Sequence, residues 1–230
     1  MREILMNSAF FGVFLCLGSF ELGLYLKKRF KLTIFNPLLI GIVLTVCVLL
    51  IFKIPYEKFN TSASHISFFL TPITVCLAVP LYEQLALLRS NFLAIFAGLI
   101  SGMIAGLGSI YAMSVIFGLN HTMYVTLLPK SVTAPIGMGI SESLGGIVTL
   151  TVACIIATGI IGSVFGEELL KIFGIKKAMA KGIALGCASH AMGTARALEI
   201  GDVEGAMASL AMAVTGLLTV IGAGIFAHFI

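Results

Sequence analysis

Apolar runs of about twenty residues recur along this chain of 230 residues, and a run of that length can cross a lipid bilayer as a helix. Hydrophobic residues make up 59% of the chain and charged residues only 10%, which excludes an ordinary soluble domain. The first run has no small-residue cleavage motif after it, so we expect a retained helix rather than a secretory signal. We therefore predict an all-α, polytopic membrane protein with full-length spans at residues 5–26, 33–52, 91–117, 146–166 and 204–229.

Three further apolar segments carry prolines or glycines that interrupt helices. Proline removes a backbone donor and clashes with the preceding turn, so a helix kinks or stops there. Irregular backbone persists at membrane depth only where protein or water shields it. We expect broken or re-entrant elements at 65–88, 122–141 and 178–200.

The order of these pieces predicts a repeat. Span, span, broken segment and closing span describe residues 1–118, and 119–230 has pieces in the same order, with 122–141 as its first crossing. Both closing spans carry small residues at every fourth position, which lets helices approach closely and permits a homo-oligomer, most simply a dimer. The prediction is two inverted repeats, each of three transmembrane helices plus a broken or re-entrant helix.

Charge placement favours this inverted arrangement. If the third piece of each half is re-entrant, the basic clusters Lys27–Lys31 and Lys171–Lys181 fall on one face of the membrane. Fewer basic residues, among them Lys58 and Arg89, then fall on the other face. The positive-inside rule makes the first face cytoplasmic and puts both termini outside.

Arg196 and Lys130 are the two basic residues predicted to lie within broken segments, and a small anion is the ligand they suggest. A guanidinium stays charged and presents a planar fork that suits a carboxylate. Arg196 is equally compatible with an ion pair to Glu199 or with snorkelling to the interface. Lys130 is also compatible with a loop at the membrane face.

Hydroxyl and imidazole groups accompany these cations. His190 titrates near neutral pH and is the preferred carrier for a coupled proton, with Glu21 as the second choice, although either side chain can serve a structural role. Hydroxyls can donate to a carboxylate or to their own helix carbonyls. Half-helix starts before prolines expose N–H groups that attract anions. The remaining predicted solute-binding residues are Ser189, Thr194, Ser131, Thr133, Asn36 and Thr71.

The chain contains no sequence motif typical of an enzyme, a metal site or a nucleic-acid-binding protein. It has no nucleophile elbow, no zinc-protease motif and no phosphate-binding loop, so we expect no enzyme activity. The cysteines and histidines show no metal-ligand spacing, and we expect no metal and no cofactor. The formal net charge of +4 fits membrane topology better than nucleic-acid binding.

Three separated segments, Phe69–Tyr82, Leu128–Pro135 and Ser189–Gly201, resemble the LrgB/CidB family over essentially the whole chain. The resemblance implies a multi-pass protein of the bacterial inner membrane, commonly encoded beside a smaller holin-like LrgA/CidA-type partner. Members have been named antiholin-like regulators of murein hydrolase activity and autolysis. The family has also been tied to pyruvate uptake and, in a plastid relative, to glycolate and glycerate exchange.

Two functions follow from the residues and the resemblance together. The first is a secondary transporter of a small monocarboxylate, of the pyruvate, glycolate or glycerate type and coupled to protons. The second is an antiholin-like regulator that acts with a holin-like partner. The identity of the carboxylate comes from the resemblance and from no residue of this chain.

Overall fold

The computed structural model describes residues 8, 10–30, 37–69, 72, 76 and 78–230. All regular structure within these residues is helical, which confirms the predicted all-α class. Three described helices are long and apolar enough to cross a membrane. They correspond to the predicted spans 91–117, 146–166 and 204–229, and their bounds are Phe92–Phe117, Val148–Ile172 and Asp202–Phe229.

The chain divides into two compact units, Met1–Cys76 and Leu77–Ile230. The first unit contains α1 (Phe11–Phe30), α2 (Pro37–Ile51) and α3 (Tyr56–Ser67). The second unit contains α4 (Ala78–Glu83), α5 (Leu85–Ser90), α6 (Phe92–Phe117), α7 (His121–Leu127), α8 (Ala134–Ser143), α9 (Val148–Ile172), α10 (Ala178–Ile200), α11 (Asp202–Phe226) and a closing 3₁₀ turn (Ala227–Phe229).

In the first unit, glycines let α1 lie against its neighbours. A Cβ atom on Gly23 would lie 2.8 Å from the Pro37 Cα, and the Gly12 amide donates to Ser62 Oγ at 2.9 Å. The described parts of the predicted spans 5–26 and 33–52 lie in α1 and α2. Neither helix is among the three long apolar helices of the described residues: α1 carries Glu21 and a basic last turn, and the described part of α2 has 15 residues.

Two apolar clusters define the ends of the second unit. One joins Ile95 of α6 and Met207 of α11, with Leu88 and Met179 packed against it. We call this the basic end, because Lys171–Lys181 lies there. The other cluster joins the last half of α6, the start of α7 and the end of α11. Helix α6 therefore starts at the basic end, where α9 ends and α11 starts.

Helix α10 is a hairpin whose two arms both contact the first turns of α11. Its backbone leaves the helical region at Ser189 and His190. A Cβ atom on Gly193 would lie 2.1 Å from the Leu185 carbonyl oxygen, whereas eight residues of straight helix span about 12 Å. Segment 178–200 is thus broken, as predicted, and returns to the basic end.

Helices α7 and α8 form a second hairpin, which enters from the opposite end. The Thr151 hydroxyl near the start of α9 lies 2.8 Å from the Thr126 carbonyl oxygen and 2.7 Å from Ser141 Oγ, so both arms finish beside α9. The chain turns between Leu127 and Ala134, around Pro129.

The prediction that 122–141 crosses the membrane is therefore not confirmed, because the chain turns back between α7 and α8 and both arms contact Thr151. Arg89, next to Leu88, accordingly lies at the basic end and not opposite to it. The inverted repeat of 1–118 with 119–230 is not confirmed. Instead, a hairpin followed by a crossing helix occurs twice in the second unit, at 121–172 and 178–226, and the two hairpins enter from opposite ends.

Candidate functional site

The tips of the two hairpins border one cavity of about 600 Å³. The tip of the first hairpin contributes Lys130 and Ser131, and the inner arm of α10 contributes Cys187 and Ala188. Helix α6 closes the cavity with the small-residue face that the sequence indicated, at Gly98, Gly102 and Gly106. Small side chains leave the space open, and they make its wall mostly apolar.

Lys130 is the basic residue that lines this cavity. Its side chain is half-buried, and its ammonium donates to Ser131 Oγ at 3.1 Å. No carboxylate lies within ion-pair distance of Lys130 among the residues that the structure describes. A half-buried ammonium without an internal counter-ion is suited to bind an anion from outside the chain.

His190 forms the tip of the α10 hairpin in a conformation that side chains rarely adopt. Its φ of 43° and ψ of −134° lie outside the helical region, and such backbone costs about 1–3 kcal/mol. The ring is buried, and Nε2 donates to the Ile155 carbonyl oxygen of α9 at 3.0 Å. The conformation is therefore held by contacts with the neighbouring helix.

Two glycines of α9 make room for this tip. A Cβ atom on Gly162 would lie 1.6 Å from Ser189 Oγ, and one on Gly159 would lie 2.7 Å from His190 Cε1. Both glycines sit near the middle of the 25-residue helix α9. The tip of the hairpin consequently lies beside the middle of α9, a helix long and apolar enough to cross a membrane.

Arg196 does not line the Lys130 cavity. Its guanidinium pairs with Glu199 on the same arm and with Glu167 of α9. The pair with Glu199 is one of the two readings that the sequence left open. Glu167 was missed, although the pattern of two acids and a lysine at the end of a predicted span, Glu167, Glu168 and Lys171, could have indicated an interfacial charge network.

The other predicted site residues are spread over several positions. Ser189 is buried at the α10 tip, and the Thr194 hydroxyl donates to the His190 carbonyl oxygen at 3.0 Å. Thr133 is half-buried just before α8. Glu21 is exposed on α1 in the first unit. Asn36 and Thr71 lie outside the described residues. Solute binding and proton transfer at all of these residues stay predictions.

A model of the LrgB-like family matches residues 16–229 of the chain. The chain belongs to the LrgB-like family. Proteins named "Antiholin-like protein LrgB" from Bacillus mycoides (strain KBAB4), Bacillus cereus (strain B4264) and Bacillus anthracis (strain CDC 684 / NRRL 3495) are each 36% identical to it over 222 residues. These matches cover 96% of this chain and 96% of each relative. No solved structure gives a significant match.

Two of the segments that carried the resemblance are the hairpin tips of this LrgB-like chain. Leu128–Pro135 forms the turn of the first hairpin, and Ser189–Gly201 forms the tip and outer arm of the second. The third segment, Phe69–Tyr82, is described only in part. The residues that suggested the family are thus largely those that build the broken elements.

Proposed function

We propose that this LrgB-like chain is an antiholin-like protein of the bacterial inner membrane that regulates murein hydrolase activity and autolysis. The observation that carries the proposal is the full-length similarity to proteins named antiholin-like, at 36% identity over 96% of the chain. The proposal includes a smaller holin-like LrgA/CidA-type partner, and it excludes enzyme activity and a cofactor of the chain's own.

Complementation tests this function. A Bacillus strain lacking its own LrgB-type gene would express this chain, with and without a holin-like partner, and autolysis would be followed by the fall in turbidity after adding a non-ionic detergent. We expect slower lysis and weaker hydrolase bands in gels containing cell-wall material. Lysis at the rate of the empty vector, at equal protein levels in the membrane, would contradict the proposal.

A second function, transport of a small monocarboxylate, is favoured by the position of Lys130. Transporters often bind solutes near the midplane between broken helices of inverted repeats, where half-helix N-termini face the anion. Lys130 and Ser131 precede the N-terminus of α8 and border the cavity. One ammonium in a mostly apolar cavity suits an anion with one charge and a small body.

The membrane potential requires that uptake of an anion be coupled to the movement of another ion. Moving one charge against it costs roughly 2.3 kcal/mol per 100 mV, so accumulating an anion requires a co-moving cation or exchange. We propose proton symport with His190 as the preferred carrier, because it lies at the hairpin tip where the two halves of α10 meet. Glu21 remains the second choice.

Flux into proteoliposomes separates the two functions. Vesicles containing the purified chain would receive labelled pyruvate, glycolate or glycerate with an imposed pH gradient and no sodium. Removing a charge that meets a buried carboxylate costs about 2–5 kcal/mol, so Lys130→Gln should reduce uptake by more than tenfold, while Lys58→Gln should not. Uptake that is absent in the wild type, or unchanged in Lys130→Gln, would dismiss this transport site. Accumulation by His190→Gln would dismiss His190 as the carrier.

A further inference from the structure

The cavity that contains Lys130 is elongated, and it starts near the basic end. Its lining residues on α6 run from Ala94 to Gly106, a rise of about 18 Å along the helix. Those on the inner arm of α10 run from Ala180 to Ala188, a rise of about 12 Å. Ala94 and Ala180 lie in the first turns of two helices that both start at the basic end. The cavity is therefore a crevice, here called the α6–α10 crevice, that follows both helices inward from that end.

Lys130 lies at the inner end of this crevice. Gly106 directly precedes Leu107, which belongs to the apolar cluster at the end opposite to the basic end. Leu128, two residues before Lys130, belongs to the same cluster. Lys130 is therefore nearer to Gly106 than to Ala94. A Cβ atom on Gly106 would meet no atom within 4 Å, so the crevice is open there.

Apolar packing closes the far side of the Lys130 site. Leu107, Tyr124 and Leu128 are 2%, 0% and 2% exposed, and they belong to one cluster with the end of α11. Among the residues that the structure describes, this cluster separates Lys130 from the opposite end of the unit. The α6–α10 crevice, in contrast, connects Lys130 with the basic end.

The ammonium of Lys130 indicates that water enters the crevice. Ionisable side chains at membrane depth face water or protein, because acyl chains cannot solvate a charge. The walls of the crevice carry small side chains, which leave room for water and for a small anion. Ser101 and Ala105 of α6 line it and are exposed.

We propose that an anion reaches Lys130 from the basic end, along the α6–α10 crevice, in a conformation whose opposite end is closed. This inference rests on the transport function proposed above, and it adds the side of entry and the residues along the path. Transporters of this kind expose a central site by moving one group of helices against another. Release at the other end then requires the cluster of Leu107 and Leu128 to separate.

Charged thiol reagents test this path. In a variant without the native cysteines, Ser101→Cys and Ala105→Cys lie along the crevice, whereas Ile104→Cys is exposed on a part of α6 that does not line it. Membrane vesicles would receive the impermeant anion sulfonatoethyl methanethiosulfonate from the face at which Lys176→Cys reacts, which identifies the basic end. We expect Ser101→Cys and Ala105→Cys to react at least tenfold faster than Ile104→Cys.

The charge of Lys130 gives a second readout. A positive charge in a narrow cleft raises the local concentration of anions. Ala105→Cys should therefore prefer the anionic reagent over the cationic trimethylammonioethyl methanethiosulfonate, and Lys130→Gln should reduce this ratio of rates at least threefold. Lys58→Gln removes the same charge from an exposed position elsewhere and should leave the ratio unchanged. An unchanged ratio in Lys130→Gln would show that the crevice does not lead to Lys130.

Side and position of labelling decide the proposal. Equal rates at Ala105→Cys and Ile104→Cys would overturn it, as would faster reaction of Ala105→Cys from the opposite face. Denatured samples should label every variant alike, which shows that each cysteine is present. The labelling needs no solute flux. Labelling along the crevice without flux in proteoliposomes would dismiss transport and keep the path, whereas flux without this labelling would dismiss the path.

Discussion

Two glycines of α9 leave the space in which the tip of the α10 hairpin packs. Gly159 and Gly162 of α9 face His190 and Ser189 so closely that no side chain fits between the helices. Ser189 and His190 are buried, and the unusual backbone of His190 is held by its contacts with α9. The geometry of the tip therefore depends on the absence of a methyl group on a neighbouring helix.

Gly162→Ala should disrupt this tip. The added Cβ atom would lie 1.6 Å from Ser189 Oγ, and overpacking of this kind costs about 1–3 kcal/mol. We expect a lower apparent melting temperature in detergent. Gly108→Ala is the control, because no atom lies within 4 Å of its added Cβ atom. Equal stability of Gly162→Ala and the wild type would show that the tip is loosely packed.

Thr151 holds both arms of the first hairpin through its hydroxyl. Thr151→Val keeps the shape of the side chain but leaves buried partners, including the Thr126 carbonyl oxygen, without that bond. Such a loss costs about 1–3 kcal/mol. Unfolding in sodium dodecyl sulphate should therefore occur earlier than in the wild type. The exposed neighbour Thr149→Val should change little, and similar behaviour of both variants would argue against the hydroxyl's role.

At the scale of elements, charge pairs tie the outer arm of α10 to α9. Arg196 on that arm pairs with Glu167 of α9, and both side chains are partly buried, at 22% and 30% exposed. This contact sets where the arm lies relative to the crossing helix. It offers a positional reason for Arg196 besides the solute binding that the sequence predicted.

A double-mutant cycle separates these two roles of Arg196. The single variants Arg196→Gln and Glu167→Gln should each destabilise the protein, and the double variant should lose less than their sum, with a coupling of about 0.5–3 kcal/mol. Thermal unfolding in detergent measures the stability. Strictly additive losses would mean that the pair with Glu167 contributes no coupling, which would leave the pair with Glu199 and solute binding as reasons for this arginine.

The broken elements were predictable from sequence because proline and glycine interrupt helices by local rules. Segment 122–141 turns around Pro129, whereas the break in 178–200 falls at Ser189 and His190, between Gly186 and Gly193. Local rules do not say whether a broken helix continues across the membrane or returns. That outcome depends on distant contacts, such as Thr151 with Thr126, which no spacing in the sequence reveals.

The candidate site was predictable to a similar degree. Lys130 and Ser131 line a cavity, and the glycine face of α6 lies opposite, as the small residues indicated. The sequence predicts anion binding at Arg196 as well as at Lys130, because both are basic residues in broken segments, but Arg196 does not line this cavity. Its pairing with Glu167, 29 residues earlier, could not be derived from the pattern of one segment.

At the scale of the whole second unit, two helical hairpins enter from opposite ends, and each is followed by a helix long enough to cross the membrane. This arrangement places Lys130 and the α10 tip near mid-depth, and it keeps Arg89 and Lys171–Lys181 at one end. The transport proposal depends on it, since a chain that crossed at 122–141 would place the Lys130 region and the loops around it differently.

Labelling of single cysteines from either side of the membrane tests this arrangement most directly. In a variant without the native cysteines, Thr122→Cys and Ser143→Cys flank the first hairpin, while Ser90→Cys and Lys176→Cys lie at the basic end. An impermeant maleimide should label Thr122→Cys and Ser143→Cys from one face, and Ser90→Cys and Lys176→Cys from the other. Labelling of Thr122→Cys and Ser143→Cys from opposite faces would contradict the hairpin.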